Sequence, residues 1–415
     1  MDTALLSSIE PNLQSRPGSR RRVGTVMIGV PCLLVGGTEV HTLALATSLQ
    51  AAGYRVIVCC YFDYQATTVK TFRDRDIEVT LLNLDRQRPG GKFKRTAALV
   101  ASLARCIRRH KPDIVHVQYM TPGALGVVIA RCTGVPVVVA TVHVTANHYG
   151  RKVWLPKCVA APLCNAFLCV SKVAEESFFG SSEIFSETGF DRGLRHFAIP
   201  NCVDIEAVDA ARRLGPPADL ASKLNIGSRP VIGILSRLDP FKGHDVLLDA
   251  LALVRCDTPD ALALCVGAGA GDWPDKLRRQ ANALGLHDHV IWAGGMTQAM
   301  AFRHLMLMDI VVMPSRPNLE GFGLVAAEAM AFEKPVIASD VDGLAEVVGR
   351  YGAGMLVPPG DVAALAGAIG QLLHDPDRRA TLGIAGRNRV EKQYSMDVFA
   401  DRHLRLYGKL LGGRA

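Results

Sequence analysis

Short, uninterrupted apolar runs recur along this chain, and they limit what it can fold into. GVPVVVATVHV at 134–144, VIGIL at 231–235 and DALALCV at 260–266 lack the in-out alternation of a strand with one wet face. Runs of this kind read as parallel strands covered on both sides. Stretches of helical pattern lie between them, for example 93–109 and 324–332. Strand-then-helix alternation specifies doubly wound α/β layers, with ligands at the carboxyl ends of the strands. A chain of 415 residues exceeds one ordinary core and suits two domains of about 200 residues each. The first is expected over 23–203, with 180–197 as an irregular loop and Ile199-Pro200-Asn201 approaching a hinge. The second is expected over 204–394, opening with an Asp/Ala-rich helix and a short polar linker before the strand at 231–235. Residues 1–22 read as a disordered leader.

Two segments carry the chemistry. In MPSRPNLEGFGLVAAE, residues 313–328, an apolar strand end leads into a loop holding Glu320, then Gly321, Phe322 and Gly323, then a helix. Glycines before a helix start let a ligand approach bare N–H groups, where the helix dipole favours an anion. Glu320 on the loop and Glu328 on the helix bracket that anion site with two acceptors for hydroxyls. Hydroxyl, anion, hydroxyl is the outline of a sugar nucleotide. Upstream, VIGILSRLDPFKGHD at 231–245 feeds a strand into a loop that presents Arg237 and Lys242. A planar fork and a mobile point charge five residues apart make a diphosphate clamp that needs no metal.

These segments resemble the donor-binding half of the family-four retaining glycosyltransferases, which have the two-domain GT-B fold of two facing Rossmann-like domains. The resemblance rests on E-x7-E (Glu320, Glu328) and S-R-L-x-x-x-K-G. It extends in order through GGTE at 36–39, PDIVHVQ at 112–118, ATVHV at 140–144, IPNCVD at 199–204, VGAGAGD at 266–272, IWAGG at 291–295, KPVIASD at 334–340 and GMLVPPGD at 354–361. It implies that Glu320 binds donor-sugar hydroxyls and Glu328 the ribose, and that Arg237 and Lys242 hold the diphosphate. Backbone N–H groups near Gly323, Leu324 and Val325 would hold the β-phosphate. His143, at the end of an apolar strand, matches the family's strand-end histidine beside the reacting centre, with a pKa range suited to proton handling. Gly36 and Gly37 match its loop facing the phosphate or the acceptor. A helix within 395–415 resembles the closing helix that crosses back to the first domain.

Three look-alikes fail. Gly267, Gly269 and Gly271 follow a strand, but Asp272 stands where a dinucleotide fingerprint wants glycine. Asp340-Val341-Asp342 matches a D-x-D metal motif out of context, and no P-loop lysine motif is present. Two departures from the family pattern are Cys202 and Asp342, both where glycine is usual. The first is expected to stiffen the hinge, and the second to place negative charge near the donor cleft.

The net charge of +8 is uneven: residues 1–203 hold 24 Lys/Arg against 14 Asp/Glu, and the rest 23 against 25. Arg86 to Lys111 carries nine cations and no acid, partly on an amphipathic helix. A solvated face and attraction to an anionic membrane surface or phosphorylated acceptor both remain open. Nucleic acid is not indicated, because no aromatic interleaving accompanies the charge. Eleven cysteines without a C-x-x-C pair suggest a reducing compartment, hence a cytoplasmic enzyme, peripheral to the membrane's cytoplasmic face if attached to it. Residues 19–35 imitate an export signal, but their apolar run is needed as the first strand. No run of about 20 apolar residues is present.

The resemblance implies retaining transfer from a UDP- or GDP-sugar to a hydroxyl of a glycan or lipid-linked acceptor, without cofactor or metal. Polysaccharide or glycolipid biosynthesis is the expected setting. A sugar-nucleotide 2-epimerase on the same fold would need an acid/base pair near the sugar C2, which is not identifiable. A non-catalytic glycan- or nucleotide-binding subunit is the alternative from another class.

Overall fold

A computed structural model describes residues 23–34, 36–85, 91–349 and 352–412. The expected leader, residues 86–90 of the basic stretch and the last three residues lie outside them. Among the described residues, thirteen strands form two all-parallel sheets. The first holds β1 (Thr25–Val30), β2 (Arg55–Cys60), β3 (Glu78–Leu81), β4 (Ile114–Gln118), β5 (Val137–Val142), β6 (Ala166–Cys169) and β7 (His196–Ala198), in the order 3-2-1-4-5-6-7. The second holds β8 (Val231–Leu235), β9 (Leu262–Val266), β10 (Val290–Gly294), β11 (Ile310–Met313), β12 (Val336–Ser339) and β13 (Met355–Val357), in the order 10-9-8-11-12-13.

Val137–Val142, Val231–Leu235 and Leu262–Val266 are buried at every position, as continuous apolar runs require. Helices cover both faces of each sheet, giving separate apolar clusters on the two sides. Strand order reverses between β1 and β4 and again between β8 and β11. Such switch points open a crevice at the strands' carboxyl ends. The Gly36 loop follows β1, His143 follows β5, the Arg237–Lys242 loop follows β8 and Glu320 lies beyond β11. One topological rule thus gathers segments that are nearly 300 residues apart.

The chain passes between the domains twice at one place, where Val203 N–H donates to the Tyr394 carbonyl at 2.8 Å. Beyond it, the helix Met396–Gly412 packs on the helix Gly37–Ala51 of the first domain and buries Phe399, Leu406 and Tyr407. Residues 180–197 are more regular than expected. A short helix, Glu187–Asp191, is capped by the Ser186 hydroxyl, and His196–Ala198 extends the sheet. Asn225, at positive φ, ends the helix Ala218–Lys223, so the polar linker is also partly helical. Cys202 is buried, its Sγ 3.8 Å from Met396 Sδ, so it packs the crossing helix against the hinge.

Candidate active site

Glu320 lies 7% exposed at the foot of the cleft. Lys242 reaches it from the β8 loop, Nζ to Oε1 at 2.6 Å, and the Ser315 hydroxyl donates to the same oxygen at 2.6 Å. Lys242 is presented by a single 3-10 turn, Pro240–Lys242, capped by the Asp239 carboxylate. The turn ends at Gly243, whose φ of +72° and approach to the Pro314 carbonyl exclude a side chain. An ion pair this sheltered is screened far less than a surface pair.

Gly321 brings the two domains together at this point. A Cβ there would stand 1.9 Å from the His143 carbonyl oxygen, so the E-G-F-G loop rests directly on the end of β5. His143 Nε2 pairs with Gln118 Oε1 at 2.7 Å, which puts the ring proton on Nε2 and leaves Nδ1 a lone pair. Tyr119 stacks beside the ring and His41 meets it edge-on at 4.8 Å. Burial, reinforced by His41, holds the His143 pKa well below the ordinary imidazole range. At neutral pH this ring is therefore a neutral hydrogen-bonding group, with a free Nδ1 lone pair of lowered basicity.

The diphosphate clamp is also arranged differently from expectation. Lys242 is bound to Glu320, while Arg237 is 72% exposed and touches only Asp239, at 3.7 Å. Arg237 lies near Tyr119 of the first domain, whose pKa burial raises and the Arg237 charge lowers. The helix Leu324–Ala331 begins at Gly323, with its first N–H groups uncapped by any side chain. Phe322 is buried edge-on against Tyr394, so it offers a ligand only its backbone. Gly36 is extended and Gly37 opens its helix. Beside them Glu39 accepts from the Leu34 N–H at 3.0 Å.

Glu328 lies inside a helix of small apolar residues and accepts one hydrogen bond, from Gln298 Nε2 at 2.8 Å. Burial raises its pKa to about 7. Only the ionised form offers both oxygens to ribose hydroxyls, so nucleoside diphosphate affinity should rise about tenfold from pH 6 to pH 8. Calorimetric titration checks this, and Glu328→Gln should flatten the profile. Gln118, Gln298 and Ser315 were not anticipated. Each meets its partner only through the fold, although Ser315 stands five residues before Glu320. Asp342, expected to place charge near the donor cleft, stands beside the Glu320 loop, where its carboxylate accepts the Asn318 N–H at 2.6 Å.

Two further cavities, of about 550 and 370 Å³, share Lys172, Glu346 and Arg389 behind the cleft. Neither is lined by Lys242, Glu320 or Glu328. Among the described residues, no group of three or more His, Cys, Asp or Glu is arranged to hold a metal, and no helix is long and apolar enough to cross a membrane.

Two parallel-sheet domains meeting across this cleft define the GT-B class of glycosyltransferase fold. Anabaena HepE, in complex with UDP and glucose, is similar in structure (TM-score 0.77, 21% identity, 92% of this chain and 99% of that one). Sucrose-phosphate synthase from Thermosynechococcus elongatus is similar (TM-score 0.74, 22%, 95% and 100%). Residues 35–180 match the family described as Glycosyltransferase Family 4, and residues 218–389 match Glycosyl transferases group 1. A D-inositol 3-phosphate glycosyltransferase of Jonesia denitrificans is 32% identical over 312 residues, 71% of each chain. The chain belongs to glycosyltransferase family 4. A GDP-mannose-dependent alpha-(1-6)-phosphatidylinositol monomannoside mannosyltransferase of Mycolicibacterium smegmatis is 35% identical over 222 residues. That match spans 51% of this chain and about half, 55%, of the relative.

Proposed function

We propose that this protein transfers a sugar, with retention, from a nucleoside diphosphate sugar to a hydroxyl of a phosphorylated, inositol-type or lipid-linked acceptor. The Lys242–Glu320 pair, set against His143 across the cleft, is the observation that carries this reading. Lys242 bridges the Glu320 carboxylate and the β-phosphate. Arg237 and the N–H groups of Leu324 and Val325 take up the rest of the charge that develops on the departing diphosphate. Glu320 and the neutral His143 hold hydroxyls of the sugar, and Glu328 holds the ribose. No metal is required, because fixed cations and amides meet the developing charge.

The first domain supplies the acceptor side. From residue 86 to 174 the sequence has fourteen Lys/Arg and a single acid, Asp113. The helix Gly91–His110 and the segment 150–160 flank the helix Met120–Cys132 on one face of the sheet. That face exposes Phe93 (85%) and Trp154 (53%) among Lys94, Arg151, Lys152 and Lys157. Aromatic rings amid cations suit an anionic lipid surface, at about 1 kcal/mol per cation close to it. The family relatives named for inositol phosphates and phosphatidylinositol mannosides support that acceptor class. Location on the cytoplasmic face of a membrane follows from the same reading.

The test is a transfer assay with UDP-, GDP- and ADP-sugars in EDTA, offering free inositol phosphate or phosphatidylinositol vesicles. One nucleotide should support transfer, EDTA should leave the rate unchanged, and the protein should sediment with anionic but not zwitterionic vesicles. An epimerised donor, or no turnover with any donor and acceptor, would contradict the reading.

A further inference from the structure

Asp342 has a φ of +43°, a conformation that costs a non-glycine residue free energy. Something must compensate. Its Oδ2 accepts the Asn318 N–H at 2.6 Å, and the backbone N–H groups of Leu319 and Glu320 lie near enough to favour its charged form. Three successive amides converging on one anion form a nest, here filled by a side chain of the protein itself. Asn318 takes φ +78° to aim these amides. The next residue, Gly343, donates its N–H to the Glu320 carbonyl at 2.9 Å. A Cβ on Gly343 would lie 2.1 Å from the Gly321 oxygen, so the helix Asp342–Val348 is pressed against the loop. Two hydrogen bonds, from Asn318 N–H to Asp342 and from Gly343 N–H to the Glu320 carbonyl, therefore tie the Glu320 loop to the start of that helix. The Glu320 carboxylate is close enough to repel Asp342, and Lys242 neutralises that charge.

We propose that Asp342 is a positioning residue, whose carboxylate occupies the backbone nest of residues 318–320 and fixes Glu320 against the donor sugar. The proposal rests on the transferase reading of this cleft. It differs from donor recognition, because the side chain faces the loop's own amides. Hydrogen bonds to a charged acceptor are the strong ones, and the Asn318 bond is lost in Asp342→Gly together with the carboxylate's attraction for the next two amides. That variant should lower kcat at least about tenfold while the KM for the donor stays within about threefold. Glycine suits the backbone here, so the melting temperature should hardly fall. Asp342→Asn, which keeps one acceptor oxygen, should recover part of the rate.

Amide hydrogen exchange across residues 316–323, followed without ligand, gives the second readout: exchange should quicken at least about tenfold in Asp342→Gly. Unchanged exchange overturns the proposal. So does a raised donor KM with wild-type kcat, which would mean direct donor contact. If the wild-type protein transfers no sugar at all, the transferase reading fails, and the exchange result still decides the role of Asp342.

Discussion

Lys242→Ala is expected to reduce kcat/KM by at least about 100-fold, the scale of losing one preorganised charge partner of a developing anion. The substitution acts twice. It removes a cation from the diphosphate, and it strands the Glu320 carboxylate, 7% exposed, with Ser315 as its remaining side-chain donor. Leaving one member of a buried pair costs up to about 3 kcal/mol of stability, at the low end because Lys242 is itself 18% exposed. Glu320→Gln should lose activity comparably by freeing the ammonium group from its anchor. The double variant should lose less than the two effects added, because each single change already breaks the shared contact. Steady-state kinetics with a circular-dichroism melt for each variant decide the matter. Turnover within about threefold of wild type in either single variant would remove this pair from the chemistry.

A second large effect is acid lability. His41, His116, His143 and His403 gather between β4, β5, the helix Gly37–Ala51 and the crossing helix. His116 bonds Tyr407 at 2.6 Å and Thr141 at 2.7 Å, and His41 bonds Asn201 at 2.7 Å. Burial lowers all four, His41 to about 4 and His403 to about 3. These bases stay neutral in the fold, whereas in the unfolded chain they take up protons below about pH 6.5. Stability is therefore intact above that pH and falls as pH drops from about 6.5 toward 4. At pH 5.5 the neutral rings therefore disfavour the fold, while Glu328, its pKa raised to about 7, takes up its proton over the same interval and offsets part of that loss. The net effect is a loss of stability between pH 7.5 and 5.5, to which His244, lowered to about 4 by burial, adds in the same direction. Urea titrations at pH 7.5 and 5.5 measure it. Histidine NMR should show these four rings failing to titrate above pH 5, and ordinary titration by His41 or His403 would refute the cause.

Because strands covered on both faces are apolar at every position, both sheets could be read from continuous runs such as Val137–Val142 and Leu262–Val266. The glycine-flanked Glu320 and the strand-end Lys242 were legible for the same local reason. Their direct bond was not, because it joins positions 78 residues apart. The histidine cluster was invisible for a stronger reason: four rings at 41, 116, 143 and 403 share no spacing, and only the crossing helix brings the last to the others. Asp342 was read by its charge alone, and its direction depends on a turn at Asn318 that no local pattern announces. The leader and the last three residues lie outside the described chain.

The central claim is that one cleft gathers the cations, the helix start and both carboxylates around a nucleotide. A crystal structure with the nucleoside diphosphate that best raises the melting temperature tests this most directly. The diphosphate should lie within hydrogen-bond reach of Arg237, Lys242 and the amides of Leu324 and Val325, with the ribose hydroxyls on Glu328. A nucleotide seated instead in the cavity of Lys172, Glu346 and Arg389, away from Lys242 and Glu328, would contradict it.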